Sequence, residues 1–308
     1  MAAWTLATAV ALGPGGCVRA PREAPDGARL LALVERQVAF GPRVPGSAAH
    51  DSCRAWIASR LREAGARAVF EQSFVDSVPG FGTVRLTNLV ASFWSGGTAG
   101  ERPRLLFVAH WDSRPWCDRD PDLAQRARPL PGANDGGSGV AVLLELARSF
   151  GRVPPAQPVD LVFVDGEDLG TQASPGGFFR GSTRFAADVK ARAGSGSGVR
   201  YRLGVLLDLV GGRGATFPRE PNSMLRAPDA VREVWDAAAS LRLAQFSGEI
   251  GTSVLDDHIP LNDAGIPTVD VIDFSYPEWH TSRDLPAAME PAGMVACFRL
   301  LAHLADRR

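Results

Sequence analysis

Short, nearly uninterrupted apolar runs punctuate the chain at Leu105–Ala109, Val159–Val164, Leu203–Leu209 and Thr268–Ile272. Runs of this length without polar alternation read as strands buried on both faces. Ala68–Val75 and Leu86–Phe93 alternate instead and are rich in β-formers. Helical spacing covers Ala28–Ala39, Ala48–Ala64, Val140–Phe150, Pro228–Ser240 and Ala288–Asp306. The second of these has Ser47 as its N-cap and Gly65 as its stop, and the fourth opens on proline. Thr171–Gly198 is rich in Gly and Ser and reads as a loop excursion. Strands alternating with helices predict one three-layer α/β domain: a central, twisted, mostly parallel mixed sheet with helices on both faces.

The length of 308 residues suits a single domain, here read as residues 28–308 behind a leader and linker over residues 1–27. Lys+Arg 33 against Asp+Glu 34 leaves a net charge of −1, which argues against a nucleic-acid partner. Ala2–Leu12 is apolar but too short to span a bilayer, and small residues follow it up to Cys17. That reads as a signal segment with a degenerate lipoprotein cleavage site, Cys17 being the lipidated residue. It lacks an early Lys or Arg, and Pro14 stands where Leu is usual; a disordered tail is the plainer alternative. The expectation is an exported protein, periplasmic or lipid-anchored at the cell envelope. Cys53, Cys117 and Cys297 match no zinc-thiolate spacing, and no structural disulfide is expected.

The chemistry sits just past the buried runs. His110-Trp111-Asp112 follows the first, Asp165-Gly166-Glu167-Asp168 the second, Asp208 lies in the third, and Asp273 then His280 follow the fourth. Ligands of open α/β sheets gather beyond the carboxyl ends of strands, so these groups are expected to converge. Positions i and i+2 of an extended segment share a side, which lets Asp112 bond the ring nitrogen of His110 turned away from a metal. Asn134-Asp135-Gly136-Gly137-Ser138-Gly139 puts Asp135 just ahead of a helix, where it serves either as a cap or as a ligand. No lysine follows these glycines, so a phosphate loop is excluded. Adjacent acids in Asp165–Asp168 repel unless a cation compensates them or solvent bathes the turn. With Asp256-Asp257-His258 and Trp279-His280-Thr281 added, the set mixes histidine and carboxylate without thiolate, which fits catalytic zinc.

The segments FGPRVPGS (Phe40–Ser47), HWDSRPW (His110–Trp116), GANDGGSG (Gly132–Gly139), DGED (Asp165–Asp168), LLDLVGG (Leu206–Gly212), DDHIPL (Asp256–Leu261) and YPEWHT (Tyr276–Thr281) occur in an order that resembles the zinc-dependent glutaminyl cyclases. The chain is also similar to the zinc aminopeptidases, which share their fold. The resemblance runs from about Leu30 to the end. It implies zinc ligands at Asp135, Asp168 and His280, with His110, Asp135 and Asp208 around a second zinc in the peptidase case. It implies Glu167 as general acid/base, Asp208 and Asp257 in a proton relay, and Trp279 as a pocket wall. Trp111 and Trp116 are candidates for the same wall or for core packing. Asp168 departs from the Glu of animal cyclases by one methylene.

The implied reaction is cyclisation of an N-terminal glutaminyl residue to pyroglutamate with loss of ammonia, using one zinc. The alternative is an aminopeptidase with two, in which Glu167 deprotonates water for attack on the first peptide bond. Both take peptide or protein N-termini. A non-catalytic binding protein on the same fold would have lost Glu167 or His280, and both are present.

Overall fold

The computed structural model describes residues 22–96, 102–194 and 198–307. The leader reading and Cys17 lie outside the described residues. Asp26 caps α1 (Gly27–Val38), which buries Leu30 and Val34 one turn apart. Ser47 caps α2 (Ala48–Glu63), whose Cys53, Ile57 and Leu61 share a face. β1 (Ala68–Val78) and β2 (Gly82–Phe93) form an antiparallel hairpin. The chain continues through β3 (Arg104–His110), α3 (Gly137–Arg152), β4 (Val159–Val164), α4 (Arg180–Gly194) and β5 (Tyr201–Asp208). A smaller lobe follows with β6 (Phe217–Arg219), α5 (Pro221–Arg226), α6 (Pro228–Ser240) and β7 (Phe246–Ile250). Last come α7 (His258–Asp263), β8 (Thr268–Ile272) and α8 (Ala292–Asp306).

The main sheet has six strands in the order β1-β2-β4-β3-β5-β8. β4, β3, β5 and β8 run parallel, and the hairpin joins them antiparallel at β2–β4. The mixed sheet expected from the pattern is therefore present. Both of its faces are covered. Leu105, Phe107 and Ala109 of β3 point into the larger core with α1, α3 and α8, while Leu106 and Val108 join the other core with Phe185 of α4 and Leu261 of α7. This two-sided burial is the reason the β3 run shows no polar alternation. β3 lies between β4 and β5, so successive crossovers leave it in opposite directions. The crevice at its carboxyl end is where a ligand site belongs.

The loop expected over Thr171–Gly198 is in large part α4. Its glycine and serine mislead because they are contact residues: a Cβ on Gly181 would stand 2.4 Å from Asn88 Oδ1 and 2.5 Å from the Asp165 backbone nitrogen. Small residues here let the helix lie close on the sheet rather than keep it from forming. Among the described residues no helix is long and apolar enough to cross a membrane. Cys53, Cys117 and Cys297 are buried free thiols.

Candidate metal centre and catalytic cleft

The carboxyl ends of β3 and β5, the turn before α3, the turn after β4 and the segment after β8 meet at one cleft. His110 closes β3 and Asp208 closes β5. Asp135 is set by the turn into α3, where Gly136 has φ +76° and a Cβ would meet the Asp112 carbonyl at 2.6 Å. Only glycine fits that conformation and that gap. Asp284 accepts from the backbone N–H groups of Asn134 and Asp135 at 2.9 and 3.1 Å, and Gly136 is the N-cap of α3 with no side-chain cap bond, so the Asp135 carboxylate is not spent as a helix cap. His280 has φ +56°, and Leu209, next to Asp208, has φ +51°. Left-handed non-glycine residues of this kind cluster at functional sites.

The donor atoms form two groups that share Asp135. His110 Nε2 lies 3.3 Å from Asp135 Oδ1 and 3.3 Å from Asp208 Oδ1. His280 Nε2 lies 3.6 Å from Asp135 Oδ2 and 3.6 Å from Asp168 Oδ2. Asp135 Oδ2 and Asp168 Oδ2 are buried without a hydrogen-bond partner. Buried acceptors facing one another with no donor between them are costly unless a cation is shared. Imidazole and carboxylate in groups of three, with no thiolate, are the donor set of a catalytic zinc site, so these residues fit that metal.

Asp112 lies on the Nδ1 side of His110, where i, i+2 spacing puts it, but beyond a hydrogen bond, and its firm contacts are to backbone. His110 Nδ1 faces Asp112 Oδ1 at 3.5 Å, and the same carboxylate accepts the backbone N–H groups of Glu167 and Asp168 at 3.2 and 3.3 Å. Asp112 thus orients one histidine and one turn together.

Charge in the cleft is far from balanced by protein groups. Burial first, then the charge of Asp168, pushes the Glu167 carboxyl well above its ordinary range. Burial likewise raises Asp257 to about 7, opposed by the hydroxyl of Ser182 that donates to it. Asp168 is raised to about 7 by burial, against the attraction of His280 and Arg114. Burial opposes protonation of His110, but bonds to Asp112, Asp135 and Asp208 outweigh it and raise its pKa well above the usual value. Buried carboxylates crowded in this way favour a divalent cation among them, which would lower their pKa values.

Some expected residues go elsewhere. Trp111 does not wall the pocket: it is fully buried, stacked on His50 at 4.2 Å, with its indole N–H on the Thr87 carbonyl at 3.2 Å. Trp111 follows a strand end and so points to the core face opposite its neighbours. Trp116 stands edge-on to Phe81 at 6.4 Å and is partly exposed. Trp279 lies against the His280 ring at 4.0 Å, beside the metal donors, half-buried with Phe274 at 4.7 Å and Arg119 Cζ 5.1 Å over its ring. Asp165 turns away to His50 at 2.9 Å and the Thr87 N–H. Asp273 bonds Ser275 in a turn, and His258 is buried beside Glu220 at 3.3 Å.

Several residues that hold the cleft together escaped the sequence reading. Arg43 is fully buried and donates to the carbonyls of Trp111, Pro131 and Gly132, with Asp135 O at 3.4 Å. Arg114 reaches Asp168 Oδ1 at 2.7 Å. Both lie inside segments singled out for other residues, so the signal was adjacent but unspecific.

Comparison with known proteins places this geometry. The sequence profile of Peptidase family M28 matches residues 88–305, most of the chain and every metal-donor residue described above. The chain belongs to peptidase family M28. Among solved members of similar fold, Fimbriiglobus ruber glutaminyl cyclase superimposes with a TM-score of 0.83 at 34% identity, covering 91% of this chain and 94% of that one. A Zn-dependent exopeptidase from Parabacteroides distasonis superimposes with a TM-score of 0.85 at 32% identity, covering 93% of this chain and all (100%) of that one. The Bos taurus glutaminyl-peptide cyclotransferase-like protein is 28% identical over 282 residues, 84% of this chain and 70% of that protein. The M28 family therefore supplies neighbours of both chemistries, and the fold alone does not choose between them.

Proposed function

We propose that this M28-family chain is a zinc-dependent glutaminyl-peptide cyclotransferase, converting an N-terminal glutaminyl residue to pyroglutamate with release of ammonia. The observation that carries the reading is the likeness, at 34% identity over nine-tenths of its length, to a bacterial glutaminyl cyclase, in a chain whose cleft holds Asp135, Asp168 and His280 beside Glu167. Asp135, Asp168 and His280 would hold zinc, which when bound polarises the side-chain amide carbonyl of the substrate. Glu167, its pKa raised, takes a proton from the substrate α-amine and returns it to the departing ammonia. The amine is an internal nucleophile, so the protein's main task is orientation. Asp257, whose charge acts on Glu167, and Asp208 would hold the hydrogen-bond network around the acid/base. Trp279, half-buried beside the metal donors, would wall the glutaminyl side chain and keep water away.

A second reading, a two-metal aminopeptidase, is favoured by one specific observation: His110, Asp135 and Asp208 complete a second donor group. In that case Glu167 would deprotonate water for attack on the first peptide bond. An assay of the purified chain with glutaminyl-β-naphthylamide and leucyl-p-nitroanilide, together with metal analysis, separates the two. Ammonia release from the first supports the cyclase; hydrolysis of the second with two zinc ions per chain would sink it. The same reading takes residues 1–27 as export leader and linker, with Cys17 as a lipid attachment point. Radiolabelled palmitate incorporation abolished by Cys17→Ser is its check.

A further inference from the structure

The two donor groups differ in how they are braced. His110 leans on Asp112, whose carboxylate also caps two backbone N–H groups. Asp168 and His280 lean instead on a guanidinium–carboxylate pair. Arg114 is almost fully buried and directs Nε and Nη2 to the two oxygens of Asp118 at 2.8 and 2.9 Å, a forked pairing that fixes both planes. Its Nη1 donates to Asp168 Oδ1 at 2.7 Å, to the Asp168 carbonyl at 3.2 Å and to the Gly170 carbonyl at 3.0 Å. The rings of Trp116 and Phe178 each stand 5.7 Å from its Cζ, which holds the guanidinium in place. Asp118 Oδ1 also meets His280 Nδ1 at 3.3 Å.

Two consequences follow from these contacts. Asp168 Oδ1 is committed to Arg114, so Asp168 turns only Oδ2 toward Asp135 and His280, and that oxygen is buried without a partner. The negative charge of Asp118, 3.3 Å from Nδ1, favours the proton there and so the His280 tautomer whose Nε2 lone pair faces the same point. A single pair of side chains thus orients two of three donors. A carboxylate limited to one oxygen leaves a coordination position open for substrate, whereas a two-oxygen carboxylate would fill it.

We propose that Arg114 and Asp118 are positioning residues that hold Asp168 as a one-oxygen donor and His280 as an Nε2 donor, and so set the affinity and coordination number of the metal at Asp135, Asp168 and His280. The proposal rests on the zinc reading above. Its test uses the full chain and two variants, Asp118→Asn and Arg114→Lys. Asp118 is 44% exposed and its amide is isosteric, so the first variant keeps the fold even where the second does not.

Zinc affinity is measured by chelator competition, and coordination by the visible spectrum of the cobalt(II) form. Both variants are expected to bind zinc about ten- to a hundredfold more weakly than the native chain. Arg114→Lys, with one compact ammonium in place of the fork, is expected in addition to weaken the cobalt bands as Asp168 swings to two-oxygen binding. A merely structural role would lower thermal stability and leave the cobalt spectrum and zinc affinity of the folded fraction unchanged. A folded Asp118→Asn that binds zinc within twofold of native, with an unaltered cobalt spectrum, overturns the proposal. A native chain that takes up neither zinc nor cobalt overturns the metal reading beneath it.

Discussion

Replacing Arg43 by methionine should loosen the cleft from behind. The guanidinium has no carboxylate partner within the contacts described; it is held by carbonyls of Trp111 at 3.0 Å, Pro131 at 3.1 Å and Gly132 at 2.6 Å, with Asp135 more distant at 3.4 Å. Three bonds from a charged donor at roughly 1.5–3 kcal/mol each amount to roughly 4.5–9 kcal/mol. Relief of a fully desolvated cation offsets several kcal/mol of that. The net cost is about 3 kcal/mol, or a fall in Tm of roughly 5 °C for a domain of this size. Urea unfolding of chelator-treated protein reads the loss without any contribution from metal. Arg43→Lys should recover only part of it, because an ammonium cannot reach carbonyls on both sides of the plane. Zinc affinity should fall with stability, since the freed segment ends on Asp135. A loss below about 1 kcal/mol in Arg43→Met would refute the bracing role, because it falls under the cost of even one unpaired buried carbonyl.

Glu167→Gln should lower kcat by roughly 10²–10⁴ with metal content unchanged, and full activity in this variant would remove Glu167 from the acid/base role. Asp112→Asn should weaken zinc binding about ten- to a hundredfold, since one amide oxygen cannot replace both carboxylate oxygens on the N–H groups of Glu167 and Asp168, which set the Asp168 ligand; native affinity would remove Asp112 from that role. Burial raises Asp257 from 3.8 to about 7, so the folded state binds the proton more tightly than the unfolded state. Its stabilising proton is fully present below the ordinary aspartate range and is lost as pH rises toward about 7. Metal-free native protein should therefore lose on the order of 2–4 kcal/mol relative to Asp257→Asn between pH 4 and pH 8, and a pH-independent difference between the two unfolding curves would count against it.

The sequence by itself determined the layers and the location of the chemistry. Apolar runs at β3, β4, β5 and β8 without alternation required a sheet buried on both faces, and the polar residues just beyond them had one place to meet. The i, i+2 spacing of His110 and Asp112 carried its own geometry. Local pattern was less reliable where a residue type serves two purposes. The small residues of α4 read as loop, yet Gly181 is there because the helix touches the backbone of Asp165. Trp111 had equal claims on cleft and core, and only the direction of the chain past β3 sent it to His50.

What the tertiary structure alone decided is which buried polar groups pair across long stretches of chain. Arg43 meets a turn about 90 residues away, Asp284 meets Asn134 and Asp135 from 150 residues away, and Arg114 reaches Asp168 across 54. No local periodicity encodes such contacts. They exist because a desolvated polar group must find partners, and the fold brings them within reach from distant stretches of chain.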